Sequence, residues 1–369
     1  MKSGLPIFIG FFQTILLAAH VLVLETWLNF WHAAHIAGRA SVVTGFLVLS
    51  CSFVAASLLT FRYWNAATRV VYRVAAVWLG IFNFLFLASL GTWISFGAAR
   101  MFGWNPNGRA LIAGWFGAGL LAALWGIINA SFTRVKRIKV QLPNLPAVWR
   151  GRTAAMISDL HLGHVRGANF ARNIVARIRQ LRPAIVFLAG DLYDGSHADL
   201  DALAGPLRAL NAPLGNYFVA GNHEEIRDRA AHLAAAQNAG LRLLNNEKVM
   251  VDGVQIIGVH HYESAHPARL QSVLKNAEIN PAQPSVLLVH SPDQLAVAER
   301  AGISLQLSGH THRGQFFPWT WFTKRIYKQF VYGLQRFGDM LVYTSSGAGT
   351  WGPPLRVCSQ PEIVLIQFV

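Results

Sequence analysis

The run AAMISDLHLG, residues 154–163, decides how the second half of this 369-residue chain is read. Ala154–Ile157 is a short apolar run of strand length that stops on Ser158 and Asp159, with His161 two residues further on. The same construction recurs downstream. Ala184–Leu188 runs into AGDLYDG (189–195), Tyr217–Val219 into AGNHEE (220–225), and Val286–Val289 into His290 of LLVHSPD (287–293). A fifth element, SGHTHRGQ (308–315), carries His310 and His312. Val254–Val259 and Leu341–Thr344 read as further strands, and Phe170–Leu181 and Glu225–Ala239 have helical spacing. Strands alternating with amphipathic helices make this half an α/β domain, whose ligand sites gather at the carboxyl ends of the strands.

What stands at those ends is one kind of chemistry. Carboxylate oxygen and imidazole nitrogen are the donors that water-activating divalent metals prefer, and alternation along an extended segment lets Asp159 and His161, or His310 and His312, point the same way. One such pair is ordinary surface polarity; five elements in succession are not. The two cysteines, Cys51 and Cys358, form neither a disulfide framework nor a thiolate metal site.

DxH, GDxxD, GNH[DE], a solitary histidine and GHxH, in this order, resemble the signature of the calcineurin-like metallophosphoesterases over about Ala154–Val369. The closing SSGAGTWGPPLR (345–356) and the PEIVLI strand (361–366) resemble a bacterial membrane-associated branch of that family, in which Arg313 replaces a glycine of GHTHGGQ. The resemblance implies an α/β fold built as a two-sheet αββα sandwich. It also implies two divalent ions, of manganese, iron or zinc. Asp159, His161 and His312 would hold one ion, Asn222, His290 and His310 the other, and Asp191 would bridge them. His223 would be left free of metal as the acid for the leaving group or as a stabiliser of phosphoryl charge, oriented by the Asp194 carboxylate. Arg313 is open between gripping a substrate phosphate and pointing to solvent, and Glu224 between supporting the site and facing solvent at a helix start. His164, His260, His261 and His266 read as pocket lining or surface.

The first half belongs to a different solvent. Up to Arg150 the only acidic residue is Glu25, whereas Gly151–Val369 has sixteen Asp and Glu against twenty Lys and Arg, so the net charge of +15 describes neither half. Four stretches, Leu5–Leu28, Ser41–Phe61, Val70–Phe96 and Ala110–Phe132, are long and apolar enough to span a bilayer as helices. The third is expected to begin near Val74, with Arg73 reaching to the interface. His20 is expected to pack neutral against a neighbouring helix, and Glu25 to face headgroups or Arg39. The first span reads as retained rather than cleaved. The expected division is residues 1–140 as a four-helix transmembrane domain, 141–152 as a basic linker and 153–369 as the metallophosphoesterase domain. With four spans, Lys2, Arg62, Arg69, Arg73, Arg134, Lys136, Arg137 and Lys139 share a side with the catalytic domain, against Arg39, Arg100 and Arg109 opposite. That bias favours a multi-pass protein of the inner (cytoplasmic) membrane with its catalytic domain in the cytoplasm.

Between Phe316 and Phe337 an insertion carries Phe316, Phe317, Trp319, Trp321, Phe322 and Phe330 among Lys324, Arg325 and Lys328. It either seats the site against lipid headgroups or packs its aromatics on the domain. The leading function is hydrolysis of a phosphodiester, phosphomonoester or pyrophosphate, with membrane lipid as a partner and a lipid-linked substrate favoured. A UDP-diacylglucosamine-type pyrophosphate hydrolase is the boldest version. A non-catalytic membrane sensor or scaffold would be expected to have lost ligands, and none is missing. The small basic excess of the soluble half argues against nucleic acid, and four spans without paired acids argue against a transporter.

Overall fold

Strand ends carry the chemistry expected of this chain, so the sheets are what position it. The computed structural model describes residues 4–31 and 39–369, with the Leu5 and Arg39 side chains outside the description. The expectations that involve Lys2 or the Arg39 side chain therefore lie outside the described residues. The chain divides into two compact units, Met1–Ile128 with Gly352–Leu355, and Asn129–Trp351 with Arg356–Val369.

The first unit contains α1 (Gly4–Trp31), α2 (Arg39–Thr60), α3 (Ala66–Met101) and α4 (Gly108–Asn129). These are the four helices among the described residues that are long and apolar enough to cross a membrane. Large apolar side chains stand on their outward faces: Ile7, Phe11, Val74, Ile94 and Leu121 are all more than 60% exposed, as suits helices in contact with lipid. α3 begins earlier than Val74. Asn65 and Thr68 form a reciprocal capping box that starts the helix at Ala66, so Arg69 and Arg73 lie in its first two turns. Its 36 residues extend ~54 Å, well beyond a hydrocarbon core of ~30 Å. His20 is buried and fully satisfied. An indole N–H can only donate, so the Trp78 bond at 3.2 Å makes His20 Nε2 an acceptor, and Nδ1–H donates to the Leu16 carbonyl at 2.8 Å. That is the neutral, packed histidine expected, stacked at 3.6 Å on Phe82.

The second unit has twelve strands: β1 (Arg134–Val140), β2 (Thr153–Ile157), β3 (Ile185–Ala189), β4 (Asn216–Val219), β5 (Arg242–Leu243), β6 (Glu247–Val251), β7 (Val254–Gly258), β8 (Ser285–Leu288), β9 (Leu305–Ser308), β10 (Gly333–Phe337), β11 (Met340–Thr344) and β12 (Glu362–Phe368). Among them run α5 (Ala168–Leu181), α6 (Leu200–Ala204), α7 (Arg229–Asn238), α8 (His261–Ser264), α9 (Pro267–Asn276), α10 (Leu295–Arg300) and α11 (Trp319–Tyr327). The strands form two six-stranded sheets, ordered β1-β12-β2-β3-β4-β5 and β10-β11-β9-β8-β7-β6. β2 through β5 are parallel in the first, as are β7, β8, β9 and β11 in the second.

Alternation along each strand builds the layers. Met156, Phe187 and Val219 of the first sheet meet Ile256, Val286, Leu288, Leu305 and Leu307 of the second in one core. The intervening Ile257, Leu287 and Val289 point the other way, onto Leu270 and Leu274 of α9 and Leu295 and Ala298 of α10. The amphipathic α5 buries Ala171, Ile174, Val175 and Ile178. This is the two-sheet α/β domain expected.

Two boundaries differ from the sequence reading. Arg134–Val140, assigned there to the membrane domain, is an edge strand paired in parallel with the C-terminal β12. Residues 141–152 are not a free linker either, because Trp149 is fully buried edge-on to Phe368 and donates to the Val251 carbonyl. A basic run beside an apolar helix reads locally as headgroup contact; its pairing with a strand some 230 positions away leaves no local signal. α7 is also shorter than Glu225–Ala239. Asp228 caps it by accepting from Ala231 N, and residues 222–225 form a turn followed by a bend at 226–227.

Candidate metal centre

Three parallel strands from each sheet deliver side chains to one place. Asp159 and His161 follow β2, Asp191 follows β3 and Asn222 and His223 follow β4; His261 follows β7, His290 follows β8, and His310 and His312 follow β9. Donor atoms converge in three overlapping groups: Asp159 with His161 and His312, His161 with Asp191 and His223, and Asp191 with His290 and His310. Six of the seven residues expected to hold metal are thus gathered, with Asp191 and His161 each in two groups. Asn222, the seventh, lies in the turn beside His223, and its Oδ1 is buried without a hydrogen-bond partner.

The backbone is bent to achieve this. Asp159, His161, Asp191, His310 and His312 all have φ between 48° and 68°, the left-handed region that non-glycine residues seldom occupy. Glycines admit the close approaches: a Cβ on Gly221 would stand 2.2 Å from Asp191 Oδ1, and one on Gly190 2.5 Å from His290 Nδ1.

The donor set fits a pair of divalent cations. His161 and His312 face each other through Nε2 at 2.9 Å, and His290 Nε2 lies 3.1 Å from both His310 Nδ1 and Asp191 Oδ2. Burial holds His161 and His312 well below the ordinary imidazole range and lowers His310 to about 3, so these rings are neutral with lone pairs to give. Burial raises Asp159 to about 6 despite the pull of His290. Burial also opposes charge on Asp191, but His290 and His223 outweigh it and hold that carboxyl low, while His290 itself is raised to about 10 by Asp191. His290 Nδ1 is directed at the Ala189 carbonyl at 2.8 Å, which leaves Nε2 toward the site, the usual arrangement for a metal-ligating histidine.

His223 is held differently from expectation. Its Nδ1 donates to the main-chain carbonyl of Asp194 at 2.9 Å, while the Asp194 carboxylate accepts from His164 N and Ser196 N. The orientation survives, but the atom that provides it is a peptide oxygen. Trp351, 59% exposed, stands edge-on to the same ring at 6.2 Å.

Glu224, left open in the sequence, is fully buried and accepts from three amides: Asp191 N at 2.9 Å, Tyr193 N at 3.1 Å and Gly221 N at 2.7 Å. Burial, with Asp191 nearby, raises it to about 7. His164 and His260 are buried structural rings. The first contacts the His197 carbonyl at 3.2 Å, and the second accepts from Ala220 N at 3.0 Å. His261 is another matter. Its ring lies 5.8 Å from those of both His290 and His310, and its Nδ1 is buried without a partner. The signal for it was its place after a strand in GVHHYES. Arg313 is exposed, with its guanidinium 4.7 Å from the Tyr332 ring. The aromatic insertion divides: Phe316 and Phe330 pack inward, whereas Phe317, Trp319, Trp321, Phe322 and Ile326 are at least 46% exposed.

The family model for calcineurin-like phosphoesterases matches residues 153–314, the span from β2 through the His310–His312 loop. An uncharacterized metallophosphoesterase of Aquifex aeolicus is 31% identical over 259 residues, which is 67% of this chain and 96% of that one. The chain belongs to the calcineurin-like phosphoesterase family. An uncharacterized metallophosphoesterase of Helicobacter pylori is 31% identical over 218 residues, 58% of this chain and 59% of that one. A Danio rerio protein described as a transmembrane protein with metallophosphoesterase domain is 30% identical over 262 residues, 66% of this chain and 59% of that one. The chain thus spans about 60% of the length of these last two relatives.

Glu224→Ala should leave three buried amides without an acceptor, each costing about 1–3 kcal/mol. The expected result is a clear fall in the melting temperature of the purified chain, with a smaller fall for Glu224→Gln, which keeps one oxygen. An unchanged melting temperature for Glu224→Ala would mean that this carboxylate does not hold the two loops together.

Proposed function

We propose that this chain is a membrane-anchored, dinuclear metal-dependent phosphoesterase. The observation that carries the reading is the convergence of carboxylate and imidazole donors in three overlapping groups, two of which include Asp191. Asp159, His161 and His312 are assigned to one ion, Asn222, His290 and His310 to the other, and Asp191 to both. Bound there, two divalent ions of manganese, iron or zinc would supply an activated water and draw charge from the phosphoryl oxygens. The chain supplies the rest. With Nδ1 tied to the Asp194 carbonyl, the neutral His223 ring has its hydrogen on that atom, so Nε2 can carry a second proton to the leaving oxygen or face phosphoryl charge. The non-catalytic sensor or scaffold reading has no lost ligand to rest on.

A lipid-linked substrate is favoured by one observation: α11 follows the His310–His312 loop and buries none of its nine residues, exposing Trp319, Trp321, Phe322 and Ile326 beside Lys324 and Arg325. Aromatic and basic side chains together suit a headgroup interface. A pyrophosphate of the UDP-diacylglucosamine type is the most specific member of that class. The basic residues flanking the spans favour a cytoplasmic catalytic domain.

Asp191→Asn is expected to lose bound metal and turnover together. His223→Ala should keep close to two metals per chain while losing about 10²- to 10⁴-fold in rate. If His223 is the acid, the loss on a p-nitrophenyl ester will be smaller than on an alkyl ester; similar losses would assign it to phosphoryl charge. Loss of metal from a folded His223→Ala would sink the ligand set. Replacing Trp319, Trp321 and Phe322 by serine should slow a lipid substrate in bilayers more than a small soluble ester, and equal losses would speak for packing within the domain. A reporter fused after Val369 should be active only in the cytoplasm, so periplasmic activity would reverse the orientation.

A further inference from the structure

Trp351 has no part in the metal assignment, yet its backbone is held as closely as that of the residues that have one. Gln315, buried three residues beyond His312, uses both ends of its side-chain amide on it: Oε1 accepts from Trp351 N at 3.1 Å, and Nε2 donates to the Trp351 carbonyl at 2.9 Å. The Gln315 carbonyl accepts from Val357 N at 3.0 Å, beyond the tryptophan. On the near side, Ala348 N donates to the Ser158 carbonyl at 2.9 Å and Gly349 N to the Asp159 carbonyl at 2.8 Å. Gly349 lies so close that a Cβ there would stand 2.2 Å from the Leu160 carbonyl oxygen. Residues 348–357 are thus strapped between the loops that carry Asp159 and His312. The strap fixes the backbone of Trp351 and leaves its indole 59% exposed. Apolar surface left in water is unfavourable, and a ligand that covered it would gain by doing so.

The place of the ring says which ligand. Among the described residues two rings border His223, that of His161 at 4.7 Å and that of Trp351 at 6.2 Å between centroids. His161 is buried and assigned to metal, so the tryptophan is the neighbour that opens to solvent. With Nδ1 held by the Asp194 carbonyl, Nε2 is the atom His223 presents to the leaving oxygen. Whatever is attached to that oxygen has to pass from the buried donors toward solvent, and the exposed ring beside His223 is the indole.

Resting on the phosphoesterase reading above, we propose that Trp351 is a specificity-determining residue that touches the leaving group: the site takes phosphate esters whose leaving group carries an apolar ring, and that ring packs on the indole next to His223. The contact is present in the bound substrate and in the transition state alike. It therefore lowers KM and leaves kcat largely as it is.

The test compares ethyl phosphate with 2-phenylethyl phosphate, each as monoester and as symmetric diester, on full-length Mn²⁺-loaded protein in detergent. The two leaving groups are alike at oxygen and differ in the ring. Wild type should favour the phenylethyl ester through KM. Trp351→Ala should cost the phenylethyl ester about 10- to 100-fold more in kcat/KM than the ethyl ester, the range for loss of one stacking aromatic, with the difference in KM and bound metal retained. Trp351→Phe should restore most of the preference. Equal losses on both esters, loss of metal, or a wild type indifferent to the ring would overturn the proposal. So would a Trp351→Ala defect confined to substrates in lipid vesicles, which would place the indole among headgroups instead. Should Trp351→Ala fail to fold, as judged by its melting curve, Trp351→Leu carries the same comparison with a smaller selective rise in KM. Wild-type protein that binds Mn²⁺ and turns over neither ester would count against the phosphoesterase reading itself; turnover of both esters regardless of Trp351 would remove this inference alone.

Discussion

Asp191 is held by, and holds, nearly every loop of the site. Its carbonyl accepts from His161 N at 3.1 Å, Oδ1 accepts from His223 N at 2.9 Å, Oδ2 faces His290 at 3.1 Å, and its own amide donates to Glu224. One residue thereby joins the loops after β2, β4 and β8, drawn from both sheets. The sandwich can bring those loops together because the parallel strands β2–β4 and β7–β9 end on the same side of a shared core. A carboxylate buried among four imidazoles then leaves a pocket rich in lone pairs.

Much of this was legible. Donors at successive strand ends pointed to the residues that converge in the candidate site, and the apolar lengths located four helices within a few residues of where they occur. The failures share a cause. The orientation of His223 by the Asp194 carbonyl leaves no mark on residue type, since every residue has a carbonyl. The burial of Glu224 depends on Gly221 letting two turns approach, which a residue string does not state. Arg134–Val140 was misread because its partner β12 is the last strand of the chain, and only the tertiary pairing distinguishes an edge strand from a membrane-flanking basic run.

The aromatic insertion shows why two readings left open in a sequence need not be exclusive. Phe316 and Phe330 are buried or half-buried anchors, and Thr311 Oγ1 donates to the Val331 carbonyl, so the segment is tied to the domain at both ends. Its middle turns apolar surface outward. From Arg313 to Gly338 there is no acidic residue, so the exposed rings are flanked by one sign of charge only. A segment meant solely to fill the domain would not leave its largest side chains outside.

Preorganisation is the last consequence. Each of the five left-handed residues at the strand ends costs about 1 kcal/mol or more, and such conformations persist only where their surroundings over-determine them. The surroundings here are specific. Asp159 accepts the His310 amide with both oxygens, Gly309 N donates to the His290 carbonyl, Glu224 takes three amides, and Arg356 closes the far side of His312. These bonds tie the residues that carry the donor atoms to the strands and loops around them, so that the left-handed turns at the strand ends are each fixed by more than one neighbour.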